Sequence, residues 1–165
     1  MMAPPAWLPK AVSVDGEYHE VVARLYKIFE TDFKVARPRL GPLLVWWDKQ
    51  ILPGEQYEEG FWHLITREDN RTGERLHDPR RAERLPWCGP TIRHHDDPAV
   101  TVWDYREAGG NTRTYVWLEQ FDYVIILEKK LTRRYGEVAF LVTAYHVDGE
   151  DHRKSLRRKF ENRRL

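Results

Sequence analysis

The chain has 165 residues, enough for one domain with a single core, and its 27 Lys and Arg residues face 26 Asp and Glu residues. Because these charges balance, the net charge gives no indication of nucleic-acid binding. Only a local basic surface could indicate it. The single cysteine, Cys88, excludes an internal disulfide and a multi-cysteine metal site. No apolar run reaches the roughly 18 residues of a membrane-spanning helix, and the N-terminus lacks the pattern of a secretory signal. We therefore expect a cytoplasmic protein without a membrane partner.

Residues 16–98 are predicted to form a helical and mixed region after a flexible lead-in, residues 1–15, that contains three prolines. Apolar residues recur at helical spacing between residues 18 and 33, which predicts an amphipathic helix. Residues 43–47 are predicted to be a short buried strand. Residues 60–66 alternate as a strand would, with a helical turn as the alternative.

The segment that follows is highly charged. The charged block at residues 67–84 is predicted to be a surface loop followed by a short helix around residues 80–85. Residues 85–90 are predicted to be an irregular connector with two prolines. The adjacent His94 and His95 suggest a metal site only weakly, because neighbouring side chains on an extended chain point to opposite faces. We predict no metal and no cofactor.

The C-terminal half reads as a sheet followed by a helix. Four consecutive antiparallel strands are predicted at residues 99–107, 112–119, 122–129 and 136–146. Residues 148–165 are predicted to form a basic helix. The expected fold class is α+β, with the N-terminal helical part packed on a four-stranded antiparallel sheet.

Alternation along the last strand predicts its two faces. The core face is expected to carry Val138, Phe140, Val142 and Ala144. The other face is expected to carry Leu141, Thr143 and Tyr145. Because His146 and His152 follow shortly after, hydroxyls and imidazoles are expected to gather at one end of the sheet.

The sequence has no glycine-rich phosphate loop, no dinucleotide fingerprint and no common zinc-ligand spacing. Metal-independent RNA cleavage needs a base, an acid and cations, and imidazole suits both proton transfers because its pKa lies near neutrality. His63, with apolar neighbours, is one candidate, and a buried structural histidine is the alternative interpretation. His146 is the candidate second imidazole, and a polar residue at a strand end is its alternative.

Phosphate contacts are expected on the last strand and on the C-terminal helix. Thr143 and Tyr145 could both bind one phosphate, although β propensity also explains both residues. From residue 153 onward the chain has seven basic residues and one acid. The candidate nucleic-acid contacts are Arg153, Lys154, Arg157, Arg158 and Lys159. A solvated helix with cations near its C-terminal end is the alternative.

The order of these segments resembles phage- and toxin-associated members of the barnase/EndoU/colicin/RelE-like nuclease superfamily. The resemblance is carried by residues 60–63, 81–87, 123–127, 141–145 and 153–159. It implies a metal-independent endoribonuclease that cleaves RNA by attack of the 2′-hydroxyl. It further implies His63 as acid or base, Thr143 and Tyr145 as phosphate contacts, and Arg67 or Arg153 as the cation.

The resemblance also implies partners. These are RNA and, if the protein is a toxin, an inhibitor protein of the antitoxin or immunity type. Two other functions fit the same sequence. One is a nucleic-acid-binding module without catalysis, and the other is a protein-interaction domain of a phage or mobile element.

Overall fold

The structure is a computed structural model that describes residues 3–165, and these residues form an α+β fold. Their strands are β1 Arg39–Leu40, β2 Leu43–Trp46, β3 Thr66–Glu68, β4 Arg75–His77, β5 Thr101–Arg106, β6 Thr112–Leu118, β7 Tyr123–Thr132 and β8 Gly136–His146. Their α-helices are α1 Tyr18–Phe29, α2 Glu59–Ile65, α3 Pro79–Glu83, α4 Leu85–Arg93 and α5 Glu150–Glu161. A π-helical segment, Glu30–Val35, continues α1, and a 3-10 turn, Glu119–Phe121, joins β6 to β7.

The prediction of a four-stranded antiparallel sheet is wrong. Strands β5 to β8 do form an antiparallel meander, but β2 pairs in parallel with β8 and β1 extends the edge, so the sheet is mixed and six-stranded in the order β1-β2-β8-β7-β6-β5. Strands β3 and β4 form a separate two-stranded sheet within the segment predicted to be a loop. Alternation of residues identifies a strand and its faces but not its partner, and most of the chain separates β2 from β8.

The strand preferred for residues 60–66 is also wrong, because this segment is helix α2. Its residues Phe61, Trp62, Leu64 and Ile65 are all buried. A helix that is apolar around most of its circumference shows no helical period, so a short apolar run of this kind can be mistaken for a strand. The irregular connector predicted at residues 85–90 likewise belongs to a helix, α4. Its Pro86 lies in the first turn, where a backbone N–H group would have no acceptor within the helix, so proline breaks no hydrogen bond there.

The predicted faces of β8 are wrong before residue 142 and right from Ala144 onward, because the strand contains a β-bulge. Ile126 of β7 pairs with Thr143, whereas the next residue, Leu127, pairs with Leu141. The extra residue, Val142, reverses the alternation. Leu141 therefore lies in the main core with Ala139 and, beyond the bulge, with Ala144.

Hydrophobic clusters cover both faces of the sheet. The larger cluster lies between the sheet and helices α1, α2 and α4 and includes Phe29, Phe61 and Ile92. The smaller one lies under α5, where Leu156 packs with the aromatic side chains of Trp103 and Trp117. Helix α5 confirms the predicted C-terminal helix and is attached to the sheet by this cluster.

The predicted flexible lead-in spans residues 1–15, of which residues 1 and 2 lie outside the described part of the chain. Trp7 stacks on His94 with ring centroids 4.6 Å apart and donates a hydrogen bond to Asp97 Oδ2 at 2.9 Å. Trp87 Nε1 donates to the carbonyl oxygen of Pro9 at 2.8 Å. These contacts attach the segment to α4 and to the loop that follows it.

The contact between α2 and β2 requires a glycine at position 60. A Cβ atom there would lie 2.7 Å from Cβ of the buried Trp47. We expect Gly60→Ala to lower the free energy of unfolding by about 1–3 kcal/mol through overpacking, as measured by urea denaturation. Gly109 is the matched control, since a Cβ there meets no atom within 4 Å and its φ is not positive. Equal denaturation midpoints for the two variants would contradict the expectation.

Candidate functional site

A cleft of about 790 Å³ lies where the C-terminal end of β8 meets α3, α5 and the β3–β4 hairpin. Its lining contains imidazole, guanidinium, carboxylate and phenol groups. The lining residues are Arg67, His77, Asp78, Pro79, Arg80, Arg81, Glu83, Tyr145, His146, Asp148 and His152.

Local sequence determines where the wall formed by α3 begins. The Asp78 side chain accepts hydrogen bonds from the backbone N–H groups of Arg80 at 3.1 Å and Arg81 at 3.2 Å, and Pro79 occupies the first helical position. Asp followed by Pro is a strong helix start. The carboxylate accepts hydrogen bonds from the free N–H groups of the first turn, and proline has no N–H group that would need an acceptor. The helix thus begins directly after His77 and presents both arginines to the cleft.

Arg81 joins three elements at the back of the cleft. Its Nη1 donates to the carbonyl oxygens of Thr66 at 2.7 Å and His63 at 3.2 Å, and to Thr143 Oγ1 at 3.2 Å. Its Nε lies 3.4 Å from Asp78 Oδ2. The guanidinium carbon also lies 5.3 Å from the centroid of the Tyr145 ring. Arg81 therefore holds α2, α3 and β8 together.

Thr143 belongs to this framework. Its hydroxyl donates to the carbonyl oxygen of His63 at 2.9 Å and accepts from Arg81. A hydroxyl has one proton to donate, so Thr143 would have to break the bond to His63 before donating to a phosphate. In this structure its hydroxyl positions other groups.

His63 is close to Thr143 through its backbone. The residue lies in the last turn of α2 and is half-buried, and its carbonyl oxygen accepts from Thr143 and Arg81. Its side chain is not among those that line the cleft.

The cleft instead contains three other imidazoles. Those of His77 and His146 are half-buried, and each has a buried Nδ1 without a hydrogen-bond partner among the described residues. The His152 ring stacks on the Tyr145 ring, with centroids 5.3 Å apart and an interplanar angle of 17°. The structure thus brings Tyr145, His146 and His152 together at the end of the sheet.

The environment of His77 and His146 favours the neutral imidazole. Burial lowers the pKa of His146, and the Arg84 and Arg80 cations lower it further. Burial also lowers the pKa of His77. Both rings are therefore available as proton acceptors at neutral pH.

Arg67 is the cation best placed to bind an anion. Arg80 pairs with Asp148 at 3.1 Å and Arg81 with Asp78 at 3.4 Å, whereas the exposed Arg67 has no carboxylate within 4.0 Å among the described residues. The Tyr145 hydroxyl likewise makes no hydrogen bond within the described part of the chain, and burial raises its pKa, so it stays protonated as a donor.

The predicted nucleic-acid contacts on α5 are largely engaged with carboxylates. Arg153 binds both Asp122 oxygens at 2.7 and 2.8 Å. Arg157 lies 3.0 Å from Glu150 Oε1, and Lys159 lies 3.2 Å from Glu107 Oε2. Of the five cations, only Lys154 and Arg158 have no carboxylate within 4.0 Å among residues 3–165. The sequence does not reveal this, because the partners of the other three lie far along the chain or on the helix itself.

Sequence analysis does not single out His77, Arg80 or Arg81. All three lie in the segment interpreted as a charged loop, where arginines resemble ordinary surface pairs. The Asp78-Pro79 helix start is the signal that could have placed them, since it locates His77 at the junction of a strand and a helix.

The described residues offer little for a metal ion. Glu17, His19 and Glu20 are the group among residues 3–165 whose donor atoms lie close enough to share one, and all three are exposed and outside the cleft lining. His94 Nδ1 lies 2.9 Å from the Pro90 carbonyl oxygen, and His95 Nδ1 lies 2.9 Å from that of Ile92.

Comparisons with protein-family models, curated proteins and solved structures give no match for this chain. Any functional assignment therefore depends on the geometry of the cleft. Among residues 3–165, no helix has the length and apolar character needed to cross a membrane.

The two cleft imidazoles should make stability depend on pH. Because their pKa values are lowered in the folded state, the unfolded chain binds more protons once the pH falls towards about 6.5, so the free energy of unfolding decreases. We expect the His77→Gln/His146→Gln double variant to lose less stability than wild type between pH 7.5 and pH 5.5, as measured by urea denaturation. His19→Gln is the control. An equal decrease in unfolding free energy between pH 7.5 and pH 5.5 in wild type and in the double variant would contradict this linkage.

Proposed function

We propose that the cleft binds RNA and cleaves its phosphodiester backbone without a metal ion. The observation that supports this proposal best is the presence of three imidazoles, an unpaired arginine and a free phenol hydroxyl around one cleft. These groups supply proton transfer and charge stabilisation, the two functions that such cleavage needs.

In the proposed reaction, a neutral imidazole accepts the proton of the 2′-hydroxyl as that oxygen attacks the adjacent phosphorus. The bond from phosphorus to the 5′-oxygen breaks, a second, protonated imidazole donates to the leaving oxygen, and a 2′,3′-cyclic phosphate is formed. His146 is the proposed base because it lines the cleft and its pKa is lowered by burial and by the Arg84 and Arg80 cations. His152 is the candidate for the acid, because it lines the cleft and the environment of His77 favours the neutral imidazole.

The other requirement is stabilisation of the negative charge on the phosphate. Arg67 is exposed at the cleft and free of carboxylates among the described residues, so its planar fork can bind two phosphate oxygens. Arg80 can join it, since its pair with Asp148 is exposed and such pairs contribute little. The Tyr145 hydroxyl would orient the phosphate, while Arg81 and Thr143 would hold the surrounding elements in place.

Incubation of the purified protein with mixed RNA in EDTA tests the proposal, with analysis of the product ends. We expect cleavage that EDTA does not inhibit, with 2′,3′-cyclic phosphate termini. Salt-sensitive RNA binding without cleavage would indicate a nucleic-acid-binding module instead. Neither binding nor cleavage would favour the protein-interaction domain.

A further inference from the structure

A second cavity, of about 360 Å³, opens beside β2 and the β7–β8 turn. Aromatic and cationic side chains supply most of its lining. They include Trp46, Trp47, Tyr135, Arg37, Lys49 and Lys34. A volume of this size lies at the lower end of the range for small-ligand pockets.

One aromatic ring of this cavity is accessible for stacking. Tyr135 is 45% exposed although it is a large apolar ring, and its centroid lies 4.9 Å from that of Trp46, with the two rings tilted by 45°. Lys49 Nζ lies 3.7 Å from the centroid of the Trp46 ring and 4.2 Å from that of the Trp47 ring. A planar ligand could therefore stack here beside a fixed cation.

Two of the three cations of this cavity have no carboxylate partner among the described residues. Lys34 pairs with Glu58 at 3.1 Å, but Arg37 and Lys49 have no carboxylate within 4.0 Å among the described residues. Burial and the nearby Lys34 and Arg37 cations lower the pKa of Lys49, so the free site places like charges close together. An anion would relieve this repulsion.

We propose that this cavity binds one nucleotide of a single-stranded RNA, with the base against the exposed ring of Tyr135 and a phosphate on Arg37 and Lys49. Stacking rings beside cations are the usual elements of single-strand binding without sequence preference. The identity of the ligand as RNA rests on the proposed function of the cleft.

The position of the cavity fits one RNA chain that reaches both sites. Trp46 pairs with Phe140 on β8, and the cleft begins at Tyr145 and His146 on the same strand. At about 3.3 Å per residue, the two sites lie roughly 20 Å apart along β8. The cavity would therefore hold long substrates and leave very short ones unaffected.

A binding experiment with two matched double variants tests this inference. Arg37→Asn/Lys49→Gln removes two cavity cations, and asparagine suits the φ of 47° at position 37. Lys10→Gln/Lys27→Gln removes the same charge from two exposed positions outside both sites. The probe is a fluorescein-labelled 2′-O-methyl oligouridylate of about twelve nucleotides, which cannot undergo 2′-hydroxyl attack. Affinity is measured by fluorescence anisotropy, and urea denaturation shows that both variants fold.

We expect the cavity variant to bind this probe about tenfold or more weakly than the control variant. The slope of log affinity against log salt concentration should fall by about 0.7, since the contact to one phosphate is lost. A labelled trinucleotide should bind both variants equally. Tyr135→Ala should weaken binding of the long probe about fivefold without changing the salt slope, because stacking is not ionic.

Equal weakening in the two double variants, or wild-type affinity in the cavity variant, would overturn the inference and direct attention to a protein partner for this surface. The outcome is separable from the function of the cleft, because the probe reports binding alone. Selective weakening in a protein that cleaves no RNA would support the cavity and refute the ribonuclease. Cleavage of RNA without selective weakening of probe binding would support the ribonuclease and refute RNA binding in the cavity.

Discussion

The His146→Ala variant is expected to cleave RNA about 10²- to 10⁴-fold more slowly than wild type, the usual loss when a general base is removed. His146 ends strand β8, lines the cleft and has a buried Nδ1 without a partner among residues 3–165. The measurement is the single-turnover rate constant in EDTA at pH 7. The fall should lie in this rate constant rather than in substrate affinity, because the imidazole acts on the proton and not on the phosphate charge.

His19→Ala is the matched control, since His19 is an exposed imidazole of α1 outside the cleft lining. His63→Ala provides the sharper comparison. The sequence favours His63 for proton transfer, whereas the structure shows only its backbone carbonyl in the framework behind the cleft. A larger fall in the cleavage rate constant for His63→Ala than for His146→Ala would indicate that His63 transfers the proton and would refute the role proposed for His146.

The Arg81→Ala variant is expected to lose about 3–5 kcal/mol of unfolding free energy, as measured by urea denaturation. The Arg81 side chain is only 18% exposed and donates to three oxygen atoms, those of the His63 carbonyl at the end of α2, the Thr66 carbonyl at the start of β3 and the Thr143 hydroxyl on β8. Its removal leaves the Thr66 carbonyl without this donor and the Asp78 carboxylate without its charge partner. Hydrogen bonds from a charged donor contribute more than neutral ones, and their loss in a buried setting is correspondingly large.

Arg80→Ala is the control at the neighbouring position. Arg80 is 60% exposed and its partner Asp148 is 81% exposed, so we expect a change within about 0.5 kcal/mol. Arg81→Lys should recover part of the stability, because an ammonium group can reach one or two of the same oxygens but not all of them. Similar denaturation midpoints for Arg80→Ala and Arg81→Ala would show that Arg81 does not hold the three elements together.

The sequence predicts the local elements of the fold but not how distant elements meet. The four strands of the meander are visible because each alternates and is bounded by turn residues. The parallel pairing of β2 with β8 is not visible, since nothing within four residues of β2 specifies a partner. Helix α2 is mistaken for a strand because it is buried on most sides, and the bulge at Val142 changes faces without any sign in the residue types.

The residues of the candidate site likewise divide into those that the sequence predicts and those that depend on contacts between distant elements. Tyr145 and His146 are recognisable because they end a well-marked strand, whereas Arg67 is a candidate only through the resemblance to the nuclease superfamily. The sequence predicts the short helix that carries Arg81, but the hairpin that positions His77 is apparent only in the folded chain. The partners of Arg153 and Lys159 are equally hidden, and these partners decide whether α5 presents free cations.

The parallel pairing of β2 with β8 has a consequence for the order of folding. Contacts between residues so far apart in the chain form late and raise the contact order, which slows folding. During synthesis, Arg67 and His77 leave the ribosome well before β8 and the turn into α5 supply Tyr145, His146 and His152. The cleft is therefore assembled only after residue 152 has emerged, and a shorter nascent chain lacks part of its lining.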